Sequence, residues 1–132
     1  MASTANAPLS RLRLSALVVL VLIVAQAGLG IFSLSGHASV NEIHGILGYI
    51  NFLVAIAATV FAFQAKKIND SLKGLFMHAM SLPVMAFIQI GIIEAAKGNS
   101  GMKWAHVVIG IAYLVSAVGL YMLADKKSHA HR

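Results

Sequence analysis

The sequence predicts an all-α integral membrane protein, a four-helix up-down-up-down bundle built from two repeated helical hairpins. Three observations carry this. Only 11% of the 132 residues are charged and 59% are hydrophobic, where soluble domains carry roughly 25% charge. Four uncharged stretches are each long enough to cross a hydrocarbon core, which takes about 20 apolar residues as a helix, and none alternates as a membrane barrel strand must. The chain also repeats itself. Gln26-Ala-Gly28 returns as Gln89-Ile-Gly91 at a spacing of 63 (89 minus 26), and His44-Gly-Ile-Leu-Gly48 returns as His106-Val-Val-Ile-Gly110 at 62 (106 minus 44).

The single domain, 1–132, places its helices at about 14–34, 43–65, 75–93 and 104–124. Ahead of the first, Arg11-Leu-Arg13, the apolar run and Ala25-Gln-Ala27 imitate a cleavable signal. The apolar run continues to Leu34, however, and the repeat needs Gln26 and Gly28, so this segment is expected to remain. Ser39 and Asn41 are the expected caps of the second helix, and Asn99 and Ser100 of the fourth. Pro83 is expected to kink the third. The connectors are short, so neighbouring helices should pack antiparallel, with the second and fourth diagonal and parallel to each other.

Charge sets the expected orientation. Arg11, Arg13, Lys66, Lys67, Lys73, Lys126, Lys127 and Arg132 share one side, and Lys97 and Lys103 hold the other. By the positive-inside rule both termini are cytoplasmic, in a multi-pass protein of the plasma (inner) membrane. The formal charge of +6 is then drawn to anionic headgroups of the lipid bilayer. No nucleic-acid role follows, because the basic residues are scattered over connectors. Cysteine is absent, which excludes thiolate ligands and cysteine nucleophiles. No nucleotide-binding loop, catalytic triad or metalloprotease motif occurs.

Ionisable residues inside a bilayer are costly and tend to mark sites. His44 and His106 fall just inside the outer face, in the first turns of the second and fourth helices. Gly48 and Gly110 lie one turn below them on the same face, and Gly28 and Gly91 reach the same half from the other two helices. Small residues serve close helix packing, but a glycine one turn below a histidine, twice, also suits a flat ligand between two imidazoles. Haem meets that description, with His44 and His106 as axial ligands and its propionates toward Lys97 and Lys103. Zinc would want three or four ligands. The residues leave two other readings open: each histidine bonds Gln26 or Gln89 and ties helices together, or another metal or small ligand is held.

Gln26-Ala-Gly-Leu-Gly30 followed by Glu42-Ile-His44 resembles one four-helix half of the haem A synthases. The resemblance covers most of the chain in architecture, through short motifs. It implies a four-helix bundle whose second and fourth helices carry haem-ligating histidines, here His44 and His106, with Glu42 as the acidic residue before the first. Gly45 stands where that family commonly has arginine, and this chain has one bundle where the usual enzyme has two. The resemblance therefore implies a single bundle holding one haem b more directly than it implies the family's oxidising activity.

Three functions follow as alternatives. The first is a bis-His cytochrome in membrane electron transfer, with a quinone or a respiratory complex as partner. The second is a haem-modifying enzyme with Glu42 as acid–base group. The third is a non-haem accessory subunit of a membrane complex; self-association is compatible with all three. Among the other polar residues, His78 has Ser15 as its repeat counterpart and stands outside the symmetric pair. With Met77, Met80 and Met85 it could offer a soft-metal site, although methionine is commonly packing. Gln26 and Gln89 are expected to bond across helices, and Glu42 and Glu94 to pair with Lys97 or Lys103. Trp104, Tyr49 and Tyr121 suit interfacial belts, and His129 and His131 are expected to be solvated.

Overall fold

The computed structural model describes residues 5–96 and 98–131, so Lys97 and Arg132 lie outside the described residues. Four helices account for nearly all of it: α1 (Asn6–Leu34), α2 (Asn41–Ile68), α3 (Lys73–Ala95) and α4 (Ser100–Ala130). All four are long and apolar enough to cross a membrane. Each extends beyond the stretch expected from hydropathy. Even α3, the shortest at 23 residues, reaches about 35 Å at 1.5 Å per residue, past a hydrocarbon core of about 30 Å. Apolar composition marks only the lipid-crossing part; backbone hydrogen bonding carries the helix on through Arg11, Arg13, Lys66 and Lys126.

The α1–α2 and α3–α4 turns each use a glycine with left-handed backbone, Gly36 at φ 105° and Gly98 at φ 91°, a conformation that L side chains adopt at a steric cost. Asn99 caps α4 as expected: its side chain accepts from the Gly101 and Met102 amides at 2.9 and 3.3 Å. The expected caps of α2 are corrected. A 3₁₀ turn, Ala38–Val40, leads directly into α2, which has no side-chain cap. Ser39 is inside that turn, and Asn41 Oδ1 instead accepts from the Ser33 hydroxyl on α1.

Buried side chains follow a spacing of three and four residues, the seam of a left-handed helical bundle. On α1 they are Leu9, Leu12, Ala16, Val19 and Ile23; on α2, Asn51, Ala55, Ala58, Ala62 and Ala65. Adding 63 to the α1 positions gives Leu72, Leu75, Ala79, Leu82 and Ala86, and adding 62 to the first four α2 positions gives Tyr113, Ala117, Leu120 and Ala124, all buried. The inward residues are largely alanine and the outward ones leucine, isoleucine and valine. In lipid this is reasonable, because hydrophobicity does not sort the faces and small residues let helices approach. α1 packs against α2 and α4, and α3 against the same two, while α2 and α4 make no close backbone approach among the described residues.

Pro83 lies inside α3 and cannot donate to the carbonyl four residues back. That carbonyl, Ala79 O, is met from outside the helix: the Thr59 hydroxyl of α2 lies 3.1 Å from it, and 2.9 Å from Ala55 O in its own helix. A freed backbone acceptor at membrane depth thus acquires a donor from its neighbour.

The core does not fill the bundle evenly. It occupies the end where α1 begins and α4 finishes. Across residues 24–34, 41–50, 87–95 and 100–112 no described residue is buried. At the packed end, Arg13 Nε approaches Asp125 Oδ1 at 2.6 Å without its N–H lying along the contact. Lys66 pairs with Asp70 at 3.8 Å, and Arg11 lies over the Phe61 ring. His129 and His131 are not simply solvated. α4 runs through His129, whose Nδ1 donates to Asp125 O at 2.8 Å, while His131 caps the helix and reaches Asn69 at 3.3 Å.

Candidate functional site

The loosely filled half contains the repeated polar residues. His44 projects from α2 and His106 from α4, and their ring centroids lie 6.1 Å apart with the planes inclined at 65°. The two imidazoles therefore meet across the bundle although the backbones of their helices make no close approach. His44 is fixed by a reciprocal pair of bonds to α1. Its Nδ1 lies 3.0 Å from the Gln26 carbonyl, and Gln26 Nε2 donates to the His44 carbonyl at 3.3 Å. Because a carbonyl only accepts, Nδ1 must carry the proton, leaving Nε2 with its lone pair. His106 has a looser version of this arrangement. Its Nδ1 is buried beside the Gln89 backbone but has no partner in hydrogen-bonding geometry.

The glycines divide into two kinds. A Cβ on Gly48 would stand 3.0 Å from Gln26 Nε2, and one on Gly110 would stand 3.0 Å from Gln89 Nε2. The space expected beneath the histidines for a ligand is therefore the seat of the two glutamine amides. Gly28 and Gly91 face open space within 4 Å. Gly30, absent from the expected site, lies against the imidazole: its Cβ would be 3.5 Å from His44 Cε1.

Below the histidines runs a network that the sequence reading missed. Asn51 Nδ2 donates to Gln26 Oε1 at 3.1 Å, and the Tyr113 hydroxyl donates to Asn51 Oδ1 at 3.2 Å. A hydrogen-bonded chain thus connects buried Tyr113 on α4, through α2 and α1, to the His44 backbone. Asn51 and Tyr113 are 62 positions apart, the spacing of the histidines, and each stands three residues past a repeat glycine. The signal was present in the spacing, though the residue types differ. Gln89 lacks the partner that Gln26 has, and its Oε1 is buried without one. A cavity of about 50 Å³ adjoins it, lined by Gln26, Gly48, Asn51, Ala86, Gln89, Ile90 and Tyr113, with room for a water molecule.

Other expected site residues stand apart. Glu42 and Glu94 are exposed and form no ion pair among the described residues; a pairing with Lys97 falls outside them. Glu42 is two positions from His44, about 200° around the helix, so it is not brought into the imidazole pair. His78 turns toward α4, where its Nε2 contacts the Ser116 carbonyl at 2.9 Å and hydroxyl at 3.2 Å. Met77 and Met80 are exposed while Met85 packs on the core, so these thioethers do not gather around His78. Trp104 and Tyr49 face outward as an interfacial belt requires, whereas Tyr121 packs partly against the core.

Two imidazoles binding one metal ion from opposite sides, with bonds of about 2 Å, hold their ring centroids roughly 6 Å apart. The observed separation of 6.1 Å matches that distance. No set of three or more His, Cys, Asp or Glu comes together among the described residues. Comparison with family models, with curated proteins and with solved structures gives no match.

Proposed function

We propose that this chain is a haem b-binding membrane protein of the bis-histidine type, with His44 and His106 as axial ligands, acting in electron transfer. We further propose two repeated hairpins in up-down-up-down order with both termini cytoplasmic. The buried positions that recur at 62 and 63 support the repeat, and the distribution of Lys and Arg supports the orientation.

The observation that carries the haem reading is the imidazole pair, two rings 6.1 Å apart with the Nδ1 of one already committed to a backbone carbonyl. Histidine ligands characteristically donate their other N–H to a carbonyl or carboxylate, which fixes the tautomer and makes the ligating nitrogen more basic. Gln26 performs this for His44, and its side chain anchors the same helix turn through the His44 carbonyl. When bound, haem supplies one-electron chemistry at its iron. Lys103, exposed at the same end of the bundle, is the charge partner available to the propionates. A quinone or a respiratory complex is the partner class such a cofactor implies, and the likeness to a haem A synthase half is part of the same proposal.

The test is an absorption spectrum of protein purified in detergent from haem-replete cells. A Soret band that sharpens and shifts on reduction is expected. It should vanish in His44→Ala and in His106→Ala but persist in His78→Ala. Indifference to carbon monoxide marks a closed bis-His iron, whereas reactivity favours the enzyme reading. Colourless wild-type protein overturns the proposal and leaves the His44–Gln26 bonds as a helix tie in an accessory subunit.

A further inference from the structure

At the opposite end from the histidines, a cavity of about 320 Å³ opens between α1 and α4, lined by Ser10, Arg11, Arg13, Leu14, Leu17 and Tyr121. We infer that this cavity is a binding site for the phosphate of an anionic phospholipid. This rests only on the bundle lying in a membrane and is independent of the haem reading.

Charge complementarity is the first argument. Arg11 and Arg13 both line the cavity, and among the described residues the one carboxylate paired to either is Asp125, on Arg13. Arg11 is left with an aromatic face, Phe61, at 6.0 Å. The mouth therefore retains one unneutralised positive charge, the complement of a phosphodiester monoanion, and guanidinium forks match phosphate oxygens in geometry as well as charge. A neutral quinone would leave that charge uncompensated. Donor supply is the second argument. The Tyr121 hydroxyl has no hydrogen-bond partner among the described residues, and a phenol at the membrane surface is suited to bond a headgroup while its ring stays in hydrocarbon.

Shape is the third argument. Leu14 and Leu17 continue from Ser10 along one face of α1 at spacings of four and three, and they are 64% and 40% exposed. One ligand can thus lay an acyl chain on the leucines while its phosphate reaches the arginines. A free phosphate would use only the polar half.

The test is thermal unfolding of the detergent-solubilised protein titrated with short-chain phosphatidylglycerol, phosphatidylcholine or inorganic phosphate. Phosphatidylglycerol should raise the midpoint saturably. Arg11→Gln, and separately Tyr121→Phe, should weaken its apparent affinity, the first by roughly tenfold, as loss of one charge-assisted bond implies. The control Lys126→Gln/Lys127→Gln should leave it unchanged. Equal stabilisation by phosphatidylcholine, reproduction by inorganic phosphate alone, or equal loss in the lysine control would each overturn the assignment, showing respectively an uncharged-lipid groove, an anion site or diffuse surface charge.

Discussion

Between Leu9 and Ile23 every third or fourth residue of α1 is buried, whereas between residues 24 and 34 of the same helix none is. The other three helices change character at the same level, at Asn51, Ala86 and Tyr113. One half of the bundle is closed by interdigitated alanine and leucine. The other holds polar side chains, a facing pair of imidazoles and glycines that make room for amides. In lipid the first arrangement is held mainly by packing and the second mainly by hydrogen bonds, each modest in strength. The packed core and the candidate site thus fall in different halves of the same four helices, so the two can be altered separately.

The strongest way to break this comparison is to alter each half and read both properties. His44→Ala is expected to abolish the cofactor absorption band altogether while shifting the melting midpoint of cofactor-free protein only slightly. Leu120→Ala, in the closed half, should do the reverse. Leu120 is fully buried, and a cavity in its place should cost about 2 kcal/mol, the lower end of the range for such truncations because lipid removes the water-transfer part. Its spectrum should be unchanged. A Leu120→Ala protein that folds normally but has lost the band would show that the halves are not separable.

The comparison also explains what could be read from the sequence. The open half was legible because glutamine and histidine are rare inside spans, and a rare residue that recurs at 62 or 63 stands out. The closed half was not. Its inward stripe, such as Ala55, Ala58, Ala62 and Ala65, lies among outward leucines and valines that are just as apolar, so no polarity contrast marks the face. Asn51 and Tyr113 escaped notice because they share a repeat position without sharing a residue type. Hydropathy stops at Arg13, Lys66 and Asp125 while α1, α2 and α4 do not, so composition understates their length. Ser39 has the residue type of a cap but lies inside a 3₁₀ turn, which composition does not reveal.

Within the open half, the glycines offer a finer test. Gly48→Ala places a methyl 3.0 Å from Gln26 Nε2, and Gln26 holds both His44 and Asn51. Gly110→Ala puts the same methyl against Gln89, whose Oε1 has no bond to lose. Gly48→Ala should therefore cost more, about 1–2 kcal/mol for the disturbed buried bonds, and shift the absorption maximum, while Gly110→Ala costs less. Gly28→Ala, with nothing within 4 Å, should be close to neutral by melting. If the two repeat glycines respond equally, the asymmetry between Gln26 and Gln89 has no energetic meaning.

The smallest expected effect comes from the closed half, where a few inter-helix hydrogen bonds supplement the packing. Thr59 donates toward the Ala79 carbonyl that Pro83 leaves free. Thr59→Val keeps the shape and removes the hydroxyl, so the loss should approach the value typical of interhelical bonds in membranes, about 0.6 kcal/mol. Pro83→Ala restores an amide that can satisfy Ala79 O from within α3. In that background Thr59→Val should cost measurably less, and a double-mutant cycle by thermal melting gives the difference directly. Equal costs in both backgrounds would mean that the Thr59 hydroxyl serves Ala55 O in its own helix, 2.9 Å away. The carbonyl that Pro83 frees would then have no donor from the neighbouring helix.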